Sequence, residues 1–280
     1  MPNTYAHYCF GQEIVKLLQD DTQKLIEKHK DIFNIGVHGP DIYSFYHTLF
    51  NDKMNKLCSR EHANSGLVIM EHAATCIRED PAHADAYFAY MYGMICHLVL
   101  DGYCHGFVNS TRDTKGIAHN LQESEFDRML MKRDGKDPFS YCPGNTLVTK
   151  WEYAERIAYV SMDVDARIVK KSVQRMRKWC NFFVAPTFFH RAIIYFGLWI
   201  SGNYKKRTGM ILKHKENPKC VDTNKELLRL YEKAKILAVH LIEEYRQNVY
   251  EGKAYSSAYN VCFSPKTSVE TILDASLNAS

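Results

Sequence analysis

What the 280 residues lack narrows the possibilities before any motif is considered. There are nine cysteines, at positions 9, 58, 76, 96, 104, 142, 180, 220 and 262, but no C-x-x-C pair among them. An odd, scattered set of thiols does not read as a disulfide framework, and it suits a reducing, cytoplasmic location. The net charge of +4 is too mild to argue by itself for nucleic acid or an anionic membrane. The start, M-P-N-T-Y-A-H, has no basic region followed by an apolar core, so no secretory signal is expected. Long apolar runs are missing as well. The most apolar stretch, Phe182 to Ile200, is interrupted by Pro186, His190 and Arg191. Only about nine clean apolar residues remain, too few for a transmembrane span, and the stretch reads as a buried helix. Strand signals are sparse, and no repeat of fixed period is present.

What is present is helical periodicity on a chain that is 46% hydrophobic, enough for one all-α, multi-helix domain over 1–280. Ile14, Leu17, Leu18, Leu25 and Ile26 predict an amphipathic helix from Phe10 to Lys30, with His7 at or just before its start. Ile32 to Val37 is short and apolar and runs into the turn signal Gly39-Pro40-Asp41. Asp41 suits the N-cap of a helix through Tyr43, Tyr46 and Leu49. A loop from Asn51 to Ser65 carries Arg60, Glu61 and His62, and a helix follows from Leu67 to Arg78. After Asp80-Pro81, Ala84 to Phe107 reads as a long helix apolar nearly all round, and therefore central. Beyond the helix that starts near His119, Asp134 to Asn145 is a loop. Additional helices are expected at about Thr149 to Lys178, Thr187 to Ser201 and Thr223 to Tyr250. The basic segment Tyr204 to Lys219 reads as a solvated loop. The tail, 251–280, is polar and expected to be poorly ordered at its end.

The central helix holds the chemistry. It reads H97-L-V-L-D101-G-Y-C-H105, so His97, Asp101 and His105 fall at i, i+4 and i+8 on one face. His119 and Glu123 repeat the spacing on the next helix. Two histidines eight residues apart are separated by about 12 Å along the axis, which a single zinc with bonds of about 2 Å does not bridge. The economical reading is a cluster of ions, with Asp101 placed between those served by His97 and His105. Polar groups on a buried helix need partners, and bound metal supplies them. Cys96 and Cys104 adjoin two of these residues but point about 100° away on a helix.

With those residues in view, the chain resembles the zinc-dependent phospholipase C family, which shares an all-helical fold with fungal single-strand zinc nucleases. The carriers are M1-P-N-T-Y-A-H7, G39-P-D41, His62, H97-x3-D101-x3-H105 and H119-x3-E123, within roughly the first 130 residues. The rest of the chain carries no recognisable motif. The resemblance implies two to three zinc ions in a cleft. Asp41, His62, His97 and Asp101 would hold one, and His105, His119 and Glu123 a second. His7 and Asp101 would hold a third together with the amino group and carbonyl oxygen of the N-terminal residue. Family members supply that last ligand from a residue exposed by signal-peptide removal. Here methionine before the small residue proline is normally trimmed, which would make Pro2 the ligand.

Such a cluster suits phosphodiester hydrolysis by a metal-bridging hydroxide, with Asp41 orienting the nucleophile or accepting its proton. The substrate is a phospholipid head group or a nucleotide. Tyr43, Phe45 and Tyr46 are candidate rings for an apolar approach surface or for base stacking, and equally read as core residues. Two alternatives stay open: an intracellular nuclease or nucleotide phosphodiesterase, and a helical protein in which zinc fastens the N-terminus without turnover.

Overall fold

The computed structural model describes residues 4–46, 53–202, 204, 208–212 and 215–278. Among them the fold is all-α, without a strand; Ser65 and Cys262 form an isolated bridge. The helices are α1 (Thr4–Val15), α2 (Asp20–Lys28), α3 (Lys30–Gly36), a 3₁₀ segment at Gly39–Phe45, α4 (Lys53–Ala63), α5 (Gly66–Glu79), α6 (Ala84–Lys115) and α7 (His119–Arg133). Then come α8 (Trp151–Val160), α9 (Ala166–Phe182), α10 (Phe188–Ile200), α11 (Val221–Glu251) and α12 (Glu270–Asn278).

Helix α6 is the axis of the bundle. It is 32 residues long, and from Ala86 to Tyr103 every side chain is buried. Helices α1, α3, α5 and α11 pack around it. Its predicted end near Phe107 is too early, because Gly106 does not stop the helix. A Cβ at Gly106 would lie 2.4 Å from the backbone nitrogen of Ser268, so the missing side chain is what admits the returning C-terminal segment. The helix ends instead at Gly116, in the left-handed conformation (φ 64°).

Other boundaries also move for local reasons. The single helix expected from Phe10 to Lys30 is two, α1 and α2, because the chain turns at Lys16–Gln19 and restarts with Asp20 and Asp21 in a first turn, where carboxylates are favoured. The helix expected from Thr149 to Lys178 is broken into α8 and α9. Asp163 takes a positive φ of 57°, and the Asp165 carboxylate accepts from the Ile168 amide to cap α9. The loop expected at Asn51–Ser65 contains α4, whose inward face carries Leu57, Cys58 and Glu61 at helical spacing. Asp41 lies inside the 3₁₀ segment and is not an N-cap. The residues after Gly252 return to the bundle: the Gly66 amide donates to Val261, and Leu273 packs against α6.

Helix α10 departs most from expectation. It forms where expected, with the Thr187 hydroxyl accepting from the His190 amide, but it is not buried. Ile194 and Leu198 pack with Ala185 and Ile211 in a small satellite core. The opposite face points outward, with Phe188 87%, Phe189 75% and Trp199 67% exposed. No described helix is long and apolar enough to cross a membrane.

Candidate metal centre

The 3₁₀ segment, α1, α4, α6 and α7 converge on one buried patch of imidazoles and carboxylates. The helical row on α6 holds as read: Asp101 Oδ2 lies 3.3 Å from His97 Nε2 and 3.2 Å from His105 Nε2. Helix α1 brings His7, whose Nε2 is 3.2 Å from the other oxygen of Asp101. Three histidines from two helices thus surround one carboxylate, which is 4% exposed. The rings of His7 and His97 lie 4.3 Å apart, centroid to centroid.

Asp41 and His62 form a second wall. His62 Nε2 is 3.1 Å from Asp41 Oδ1, and the His62 and His97 rings meet edge to face at 5.9 Å. The G-P-D turn that delivers Asp41 depends on its glycine. Gly39 has a φ of 49°, and a Cβ there would sit 2.4 Å from His97 Cδ2, so a side chain would collide with the imidazole it should support. The third group is on α7, where His119 Nε2 is 2.8 Å from Glu123 Oε1 and the His119 ring is 5.2 Å from that of His105. The buried Gln122 amide donates to the carbonyls of Val108 and Ile117 and so locks α7 against the end of α6.

Three of the far ring nitrogens are also committed. His97 Nδ1 donates to the Val37 carbonyl at 3.3 Å and His62 Nδ1 to the Cys58 carbonyl at 2.7 Å, while His105 Nδ1 meets the Ser264 hydroxyl at 3.3 Å. Each bond turns Nε2 inward, as partners of ligating histidines do. Burial pushes His97 down to about 4, so its imidazole is neutral near neutral pH. Asp101 is held well below the usual carboxylate range: the surrounding histidines, His105 foremost, outweigh the opposing effect of burial.

The protein alone does not satisfy these groups. Asp101 Oδ2, His97 Nε2, Asp41 Oδ2 and Glu123 Oε2 are buried without a hydrogen-bond partner. His97 Nε2 and Asp101 Oδ2 lie near each other without hydrogen-bond geometry. Uncompensated buried polar atoms cost free energy, and four of them aimed into one patch fit a bound cation. Three sets bring their ligating atoms within 4.8 Å of one another: Asp41, His62 and His97; His7, His97 and Asp101; and His105, His119 and Glu123. The donor set of imidazole nitrogen and carboxylate oxygen is one that zinc accepts. A fourth group, Cys9, Glu13 and Asp134, differs in kind. It is already matched by cations: Arg133 reaches both Cys9 and Glu13, and Lys235 contacts Glu13.

Pro2 lies outside the described residues. Tyr43 and Phe45, candidate substrate rings, are packed into the core at 3% and 0% exposure, so neither forms an approach surface. Tyr46 is half-buried beneath Lys171 and Arg175, which lie over its ring. A cleft lies on another side, running from Glu123 and Asp127 past Phe139 to Phe183, Val184 and Arg191.

Three residues at the site escaped sequence reasoning. Asp127 accepts from the Tyr5 and Ala6 amides at 3.1 and 2.8 Å, which fixes the start of α1 and hence His7. Its signal was present, since His119, Glu123 and Asp127 share a four-residue spacing. His38 is fully buried beside His7 and His97 with neither ring nitrogen bonded, and burial pushes it down to about 3. Phe263 packs against the His62 and His97 rings from the far end of the chain, and nothing local marks it.

A family model described as zinc dependent phospholipase C matches residues 6–194, well over half of the chain and far past the last motif, Glu123. Searches of curated proteins and of solved structures found no match.

Proposed function

The chain belongs to the zinc-dependent phospholipase C family, and from that premise we propose that it hydrolyses phosphodiesters of phospholipid head groups at a centre of two to three zinc ions. The observation that carries this reading is Asp101, one buried carboxylate within 3.3 Å of three imidazoles and with an oxygen left unbonded. Asp41, His62 and His97 would hold one ion, His105, His119 and Glu123 another, and His7 with Asp101 a third. Pro2, if removal of Met1 exposes it, would complete the third set. Bound zinc would supply a water of lowered pKa and positive charge to neutralise the phosphoryl oxygens.

The chain's own groups do the rest. Asp41 uses Oδ1 toward His62 and keeps Oδ2 unbonded, which suits it to orient the attacking water or to take its proton. Asp101 has one oxygen for each side and couples the sets. The carbonyls of Val37 and Cys58 hold two imidazoles in a fixed tautomer, so little reorganisation is needed during the reaction. The cleft beside Glu123 offers the phosphodiester a way in, with apolar walls at Phe139, Phe183 and Val184. These apolar walls suit the non-polar part of a phospholipid. The odd, scattered cysteines without a C-x-x-C pair suit a reducing, cytoplasmic location.

The test is hydrolysis of phosphatidylcholine and of bis(p-nitrophenyl) phosphate by the purified protein, with single-stranded DNA as the competing substrate. Activity on the first two, removed by chelator and restored by zinc, is the expected result. Zinc binding without turnover of any of the three would leave a structural metal protein.

A further inference from the structure

Helix α10 shows water a face on which no polar side chain stands. Phe188, Phe189, Ile193, Phe196, Trp199 and Ile200 recur at three- and four-residue intervals, each at least 48% exposed, and the Phe196 and Trp199 rings are stacked. Among the described residues, Ile194, Leu198 and the partly buried Tyr195 pack into the small core beneath it. A contiguous apolar face of this kind marks an interaction site.

Charge identifies what meets it. From Ala166 to Lys215 the sequence contains twelve Lys and Arg and no Asp or Glu. The other 230 residues hold 24 basic against 32 acidic groups, a net of −8, so a mild overall +4 conceals a strongly basic stretch of sequence that includes α10. Arg167, Arg177 and Lys178 on the neighbouring α9 are exposed. A second copy docking on this face would bring two such segments together, and like charges across an interface are strongly disfavoured. An anionic bilayer surface satisfies both the rings and the basic charge. At 13 residues α10 is about 20 Å long, too short to span a membrane and suited to lying in its interface. The cleft that begins at Glu123 ends at Phe183, Val184 and Arg191, at the base of the same helix.

We propose that α10 is an interfacial docking helix: its aromatic face enters the head-group region of an anionic phospholipid surface and sets the mouth of the cleft against the lipid. The proposal rests on the phospholipase reading for the lipid's role as substrate, whereas docking itself requires no turnover.

The experiment compares the zinc-loaded protein with a Phe196→Ser/Trp199→Ser variant, both changes being at exposed positions. Each is sedimented with vesicles of phosphatidylcholine alone or mixed with phosphatidylserine, and each is assayed on bis(p-nitrophenyl) phosphate. The expected result is binding to the phosphatidylserine vesicles that weakens with salt and falls at least about tenfold in the variant, with hydrolysis of the soluble diester unchanged. Equal binding by both proteins, or equal binding to neutral and anionic vesicles, overturns it. So does a dimer in light scattering that the variant dissociates while vesicles are ignored. Vesicle binding without hydrolysis of any diester would remove the phospholipase reading and leave docking standing; hydrolysis of the soluble diester without vesicle binding would do the reverse.

Discussion

Helices α6 and α10 break the usual partition of residues in opposite directions. The first places an aspartate and two histidines where only apolar groups belong; the second offers water a row of aromatic rings. In α6 the departure is met by imidazoles and carboxylates that converge from α1, α4 and α7 and bring their potential metal-ligating atoms together. In α10 the described residues cover only one stripe. On the readings proposed above, each element is completed by something that is not protein, a cation in one case and a surface in the other.

The sharpest way to break this comparison is at Asp101. Asp101→Asn should lower diester hydrolysis more than about a hundredfold and reduce zinc content by more than one ion per chain, a larger effect than that of His105→Ala. Full activity and full zinc in the asparagine variant would remove the shared-carboxylate assignment.

The two helices should also separate in denaturation. Leu98→Ala, in the fully buried part of α6, is expected to cost about 2–5 kcal/mol in urea unfolding. Phe196→Ser on α10 should stay within about 0.5 kcal/mol. Equal losses would mean that the α10 face is packed in solution.

Next in size is the turn that presents Asp41. Gly39→Ala needs a backbone conformation costing about 1–3 kcal/mol and drives a methyl into the His97 ring. It should therefore destabilise the protein and weaken zinc together, as calorimetry with and without metal would record. A stability loss with zinc affinity untouched would separate the turn from the site. At Ser264, removing the hydroxyl beside His105 Nδ1 should weaken zinc at that set about tenfold in a competition titration.

The smallest effect concerns the end of the chain. Hydrogen bonds from Arg229, assisted by Lys233, hold the Glu270 carboxyl down to about 2 from an ordinary 4.5. A depressed carboxylate contributes stability above its unfolded pKa and loses it as the pH falls through the folded one. Wild type should therefore melt above Glu270→Gln at neutral pH, and the gap should close between pH 4.5 and 2. A gap that persists at pH 2 would assign the effect to packing.

How much of this was legible follows from how local each signal is. The α6 row needs only a four-residue spacing, and so does the His119–Glu123 pair; both stand at the centre as the pattern implied. His62 was legible by its place in the family motif, but its helix was not, because Lys53–Ala63 mixes polar residues with a thin apolar stripe at Leu57 and Cys58. The breaks at Lys16–Gln19 and Ser161–Asp165 were hidden because apolar spacing continues across them. Phe263 and Ser264 were out of reach altogether, since their contacts span more than a hundred residues of chain. The exposure of α10 was misread for a physical reason. Hydropathy reports that a segment is apolar, while burial depends on whether partners exist to cover it.

Whether cations gather around Asp101 is tested most directly by elemental analysis of the purified, zinc-equilibrated and dialysed protein. Two to three zinc ions per chain, falling by more than one in Asp101→Asn, is the predicted result. A chain that retains no zinc, or an asparagine variant that retains all of it, would contradict the account.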